Sequence, residues 1–131
     1  MEEKEKWHFL NLYRMAMADG DFASVERKVL YELAEKKGVT REQLNDFIVS
    51  GTAQSYVPDT LEEKISMLYD LMKIAWADGK ITPEERDMLK LFVKKFGFNV
   101  GELSDLISYF SKKIKDNATV NDIINEINKE S

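Results

Sequence analysis

Four carboxylates stand in two matching settings: Asp19 with Glu26, and Asp78 with Glu85. Each aspartate lies between alanine and glycine (Ala18-Asp19-Gly20, Ala77-Asp78-Gly79), and each glutamate precedes arginine (Glu26-Arg27, Glu85-Arg86). Acid, glycine and acid at this spacing match the fifth, sixth and twelfth positions of an EF-hand loop, where oxygen ligands gather a hard cation such as calcium or magnesium. The first and third positions would fall on Ile74 and Trp76, or on Met15 and Met17, whose side chains cannot ligate calcium, so a true EF-hand is disfavoured. Two readings follow. In the first, Asp19, Glu26, Asp78 and Glu85 hold a divalent cation. If the four converged, their mutual repulsion would raise their pKa values unless a cation or Arg27 and Arg86 neutralised them. In the second, each set is a helix corner: the aspartate bonds to the next helix, the glutamate folds back on its own cap, and the arginine is the counterion.

The elements that carry these acids are helical. Apolar residues recur at spacings of three and four with no sustained alternation of period two. The first helix runs from about Glu5 to Ala18 and turns Phe9, Leu12, Tyr13, Ala16 and Met17 inward; the second runs from about Ser24 to Lys37 on Val29, Leu30, Leu33 and Ala34, and ends at Gly38. Thr40 to Gln43 fits a capping box ahead of a third helix carrying Leu44, Phe47 and Ile48. Residues 51–59 read as a flexible connection. Thr60 to Glu63 opens a fourth helix with Leu61, Ile65, Leu68, Leu71, Met72 and Ala75, and Thr82-Pro83-Glu84-Glu85 caps a fifth with Met88, Leu89, Phe92, Val93 and Phe96. A sixth starts at Asn99 to Glu102 with Leu103, Leu106, Ile107, Phe110 and Ile114, and Thr119 caps a seventh with Val120, Ile123, Ile124 and Ile127.

The matching extends beyond the acids. At one offset of about sixty residues Leu12 meets Leu71, Ala16 meets Ala75, Gly38 meets Gly97 and Leu44 meets Leu103. The expected architecture is all-α: a seven-helix bundle of two pseudo-two-fold-related three-helix repeats plus a C-terminal helix. Repeat one covers about 5–50 and repeat two about 60–114, with the last helix at about 119–129 packed across a seam, all in one domain, because 131 residues bury one core rather than two.

Other chemistry is sparse. His8, the single histidine, reads as an ordinary surface or packing residue. Trp76 reads as core beside the corner, and the methionines read as core filler. Asp70 aligns with Asn11 and is outside the repeated set. The lysine pairs Lys36-Lys37, Lys94-Lys95 and Lys112-Lys113 suit helix C-termini. A net charge of -5 argues against nucleic acid and anionic membranes as partners. The chain contains no cysteine, which excludes disulfides and thiolate chemistry, and no run of about 20 apolar residues to span a bilayer. Nucleophile elbows, phosphate loops and paired acid–base sets are absent from the sequence, so a soluble, cytoplasmic binding protein rather than an enzyme is expected.

The duplicated Ala-Asp-Gly, Glu-Arg and Leu pattern, from about Trp7 to Ile127, resembles the TerB family of tellurite-resistance proteins and its relative, the N-terminal domain of DjlA co-chaperones. The resemblance implies a seven-helix pseudo-symmetric fold, an acidic surface proposed to bind metal, and a role in stress responses with partner proteins, often near the membrane. It makes Asp19, Glu26, Asp78 and Glu85 the family's conspicuous acids. Ala23 in place of the Thr82 cap, and Asp21 in place of Lys80, imply unequal copies. Two functions are expected from different classes: a binding module for a divalent cation or a basic partner, or an apolar scaffold acting as a homodimer or adaptor.

Overall fold

Threonine residues set the helix starts. Thr40 Oγ1 accepts the Gln43 N–H at 3.1 Å while Gln43 Oε1 accepts the Thr40 N–H at 3.0 Å. Thr82 and Glu85 exchange the same pair at 3.2 and 2.9 Å, and Thr119 and Asp122 at 3.1 and 2.9 Å. Thr60 Oγ1 accepts the Glu63 N–H at 3.1 Å. Each bond takes up an amide that the first helical turn leaves without an intrahelical acceptor.

The computed structural model describes residues 3–17, 24–50, 58–77 and 79–130. They form α1 (Glu3–Ala16), α2 (Ser24–Lys36), α3 (Arg41–Ser50), α4 (Leu61–Ala75), α5 (Pro83–Lys95), α6 (Leu103–Lys115) and α7 (Val120–Glu130). Among the described residues there is no strand, and the all-α expectation holds. Residues 51–57, most of the expected connection, lie outside the described residues.

Helix ends follow backbone chemistry. Gly38 and Gly97 take φ of +76° and +86°, the left-handed conformation that lets the next amide reach back. Val39 N–H then donates to Ala34 O at 2.9 Å, and Phe98 N–H to Val93 O at 3.0 Å. The start of α6 is less simple than its sequence suggests. A 3-10 turn, Val100–Glu102, precedes it, because Asn99 Oδ1 accepts the Gly101 N–H at 2.8 Å and tightens the entry.

The core is centred on α4, which packs against α1, α2, α5, α6 and α7. Its buried residues run almost without interruption from Ile65 to Ala75, with Ser66 and Lys73 half-buried, so neighbouring helices cover nearly every side of it. Phe9, Leu12, Met15 and Ala16 of α1 meet it, joined by Leu30 and Leu33 of α2, Leu89 and Val93 of α5, and Phe110 of α6. From α7, Ile123 is fully buried while Val120, Ile124 and Ile127 are half-covered against the core. The expected core position Leu61 is a correction: it is 46% exposed, at the first residue of α4, where Asp59, Thr60 and Glu62 around it are exposed as well.

Candidate functional site: the acidic corners

The corner between α4 and α5 is built by backbone bonds. Trp76 N–H donates to Met72 O at 2.9 Å, Ala77 N–H to Ile74 O at 3.2 Å, and Gly79 N–H to Trp76 O at 2.9 Å. Gly79 has φ of +89°. A Cβ placed there would meet nothing within 4 Å, so the requirement for glycine is conformational and not spatial. The chain then extends through Thr82 and enters α5 at Pro83, whose fixed φ and missing N–H suit the first helical position.

Glu85 is the third residue of α5 and 1% exposed. Its Oε1 accepts the Thr82 N–H at 2.9 Å, so the cap expected for this glutamate is present. Glu26 occupies the third position of α2 and is equally buried, at 1% exposure. Sequence position alone does not forecast such burial, since a capping glutamate functions well in water; removing a carboxylate from solvent costs free energy that hydrogen bonds or a counter-charge must offset. Arg86, read as a corner counterion, donates from Nη2 to Ser104 Oγ on α6 at 2.7 Å.

The structure thus places Glu26 and Glu85 at equivalent helical positions, while Asp19 and Asp78 lie outside the described residues. Among the described residues, no group of three or more His, Asp or Glu side chains comes together to hold a metal ion. A hard cation takes six to eight oxygens. Each corner's described part supplies one buried glutamate toward that number, and a complete shell would need Asp19 or Asp78 together with loop carbonyls.

The sequence did not reveal the buried polar pair between α1 and α4. His8 is 4% exposed and Asp70 is 6% exposed, with His8 Nε2 lying 2.8 Å from Asp70 Oδ2. At the repeat offset His8 aligns with Met67 and Asp70 with Asn11, so the pair has no copy. Asn11 is also buried, and its Nδ2 has no hydrogen-bond partner among the described residues. One signal was available: Asp70 sits in an otherwise apolar run, Met67-Leu68-Tyr69-Asp70-Leu71-Met72, where a carboxyl group must find a partner from another element.

A family model described as tellurite resistance protein TerB matches residues 64–131, which is just over half of the chain and includes the second corner. No curated protein and no solved structure matches the chain.

Proposed function

Since the chain belongs to the TerB family of tellurite resistance proteins, we propose that it is a non-enzymatic binding module in a stress response, whose repeated acidic corners take a divalent cation. The observation that carries this reading is the burial of a carboxylate at the same helical position in both repeats, Glu26 and Glu85, beside corners that each hold a further aspartate. In this reading Glu26 and Glu85 are the inner ligands, and Asp19 and Asp78 close the shell from the loop. A hard cation would add coordination to the contacts these glutamates already make and tie each corner to its helix. The same acids would suit a basic partner if no ion binds.

The test is thermal unfolding after exhaustive chelation, then with calcium, magnesium, manganese or zinc added back singly, beside Asp19→Asn and Asp78→Asn. A specific site at about 100 times its dissociation constant adds roughly 2.7 kcal/mol, a rise of several degrees in Tm. One ion should raise Tm in the wild type and fail to do so in the double variant. If no ion acts and the variants merely lower Tm, the acids serve as structural corners and the cation reading falls.

A further inference from the structure

A groove of about 720 Å³ opens between α2, α4 and the turn joining α6 to α7. That volume lies within the range of small-molecule sites. The groove is amphipathic. Leu33, Ile114 and Val120 supply apolar surface, and three ammonium groups line it: Lys36 and Lys37 from the end of α2, and Lys73 from α4. Its carboxyl groups are Glu32, one helical turn before Lys36, and Asp70, which already faces His8. Three ammonium groups against two carboxyl groups leave the described lining with one net positive charge, while Asp116 and Asp122 lie near enough to act on the Tyr69 hydroxyl.

Two observations point to an anion. Trp76 lines the same groove, and its buried indole Nε1–H has no hydrogen-bond partner among the described residues. Buried donors are nearly always paired, so this one marks a place for an acceptor. Lys73 is held with its Nζ 4.6 Å from the centre of the Tyr69 ring. Burial pushes its amine below the ordinary value, an effect that Asp70 opposes and Lys36 reinforces. An acceptor carrying negative charge would satisfy the indole and relieve the two crowded ammonium groups together.

We propose that this groove binds a small organic anion, its charged head held by Lys36, Lys37, Lys73 and the Trp76 indole N–H and its apolar body lying on Leu33, Ile114 and Val120. The site needs no cation at the acidic corners. Ser66, Asp70 and Lys73 share one face of α4 at spacings of four and three, which gives the buried length of the helix a polar stripe along the groove.

The experiment is a nitrogen–proton correlation titration that follows the two tryptophan indole signals of the chain. Trp7 packs on Phe92 and Phe96, does not line this groove, and serves as the internal reference. The probes are octanoate, octyl phosphate, inorganic phosphate and octylammonium. Octanoate or octyl phosphate should move the Trp76 signal saturably and leave Trp7 in place, the stronger of the two identifying the head group. Lys73→Met and, separately, Lys36→Gln, each checked for intact helicity, should weaken binding about tenfold. The proposal is overturned if neither amphipathic anion gives a saturable Trp76 shift, if octylammonium acts as well as the anions, or if both lysine variants bind unchanged. Inorganic phosphate matching octyl phosphate would overturn the assignment of an apolar body.

Discussion

Asp70→Leu is expected to destabilise the protein far more than its single hydrogen bond suggests. With Asp70 gone, the His8 ring, 4% exposed, keeps a buried donor and loses the oxygen 2.8 Å away. Leaving a buried polar group without its partner costs about 1–3 kcal/mol, and with His8 almost fully covered a loss of about 3 kcal/mol is the working figure. Replacing both partners with apolar residues, His8→Met with Asp70→Leu, removes the orphan and should return most of that loss; the apolar type at position 8 already occurs at the aligned Met67. The coupling in the double-mutant cycle should be about 1–2 kcal/mol. Urea unfolding of the wild type, both single variants and the double variant measures it, with an unchanged slope confirming that the unfolding reaction is the same. In thermal scans the single variant should lose about 10 °C and the double variant clearly less. Additivity within about 0.3 kcal/mol, or a loss below about 0.5 kcal/mol for Asp70→Leu, would refute the inference that α1 and α4 depend on this pair.

Ile123→Ala should cost about 2–4 kcal/mol in urea unfolding, because α7 seats that fully buried side chain in the core, whereas Leu91→Ala, at a site 67% exposed, should stay within about 0.5 kcal/mol. Thr82→Ala removes the cap of α5 and should cost about 1 kcal/mol; a larger loss would mean that Glu85 leaves its buried position when the box opens. The α6–α7 contact should depend on pH at both extremes. Lys113 and Glu126 bond to each other, which holds the ammonium above and the carboxylate below their ordinary ranges, and the Thr119 backbone and hydroxyl bonds depress Asp122 likewise. The contributions of Glu126 and Asp122 are complete above the ordinary carboxylate range and fade as pH falls through about 4 and below. That of Lys113 is complete below the ordinary ammonium range and fades as pH rises beyond about 10.5. Tm measured against pH should show both arms; Glu126→Gln should shrink the alkaline arm and leave the acid arm to Asp122.

Local chemistry explains what was legible. Thr40, Thr82 and Thr119 act on residues three positions away, so their capping boxes were readable as strings, and Gly38 and Gly97 declared the ends of α2 and α5. Spacing also identified the apolar stripes, yet it could not say how far along a helix the neighbours extend, and Leu61 was expected inside when it is outside. The His8–Asp70 bond joins residues 62 positions apart, and a histidine between two aromatics carries no local sign of such a partner. For the corners, the capping role of Glu85 was legible from Thr82-Pro83-Glu84-Glu85, while the burial of Glu26 and Glu85 was not, because it depends on which helices close over the first turns of α2 and α5. The groove was illegible for the same reason: Lys36 and Lys37 looked like solvated helix ends until α4 and the α6–α7 turn stood opposite them.

The central position of α4 has a dynamic consequence. A helix that five others cover cannot open by itself, so its amide hydrogens should exchange with solvent only when the whole chain unfolds. α5, with four buried positions, has less holding it and should exchange through smaller openings. Because Ser66, Tyr69, Asp70 and Lys73 line the groove from this slowest-exchanging helix, an occupant there would act on the global opening rather than on a local one. Its grip would be read across the molecule as slower exchange in every core helix at once.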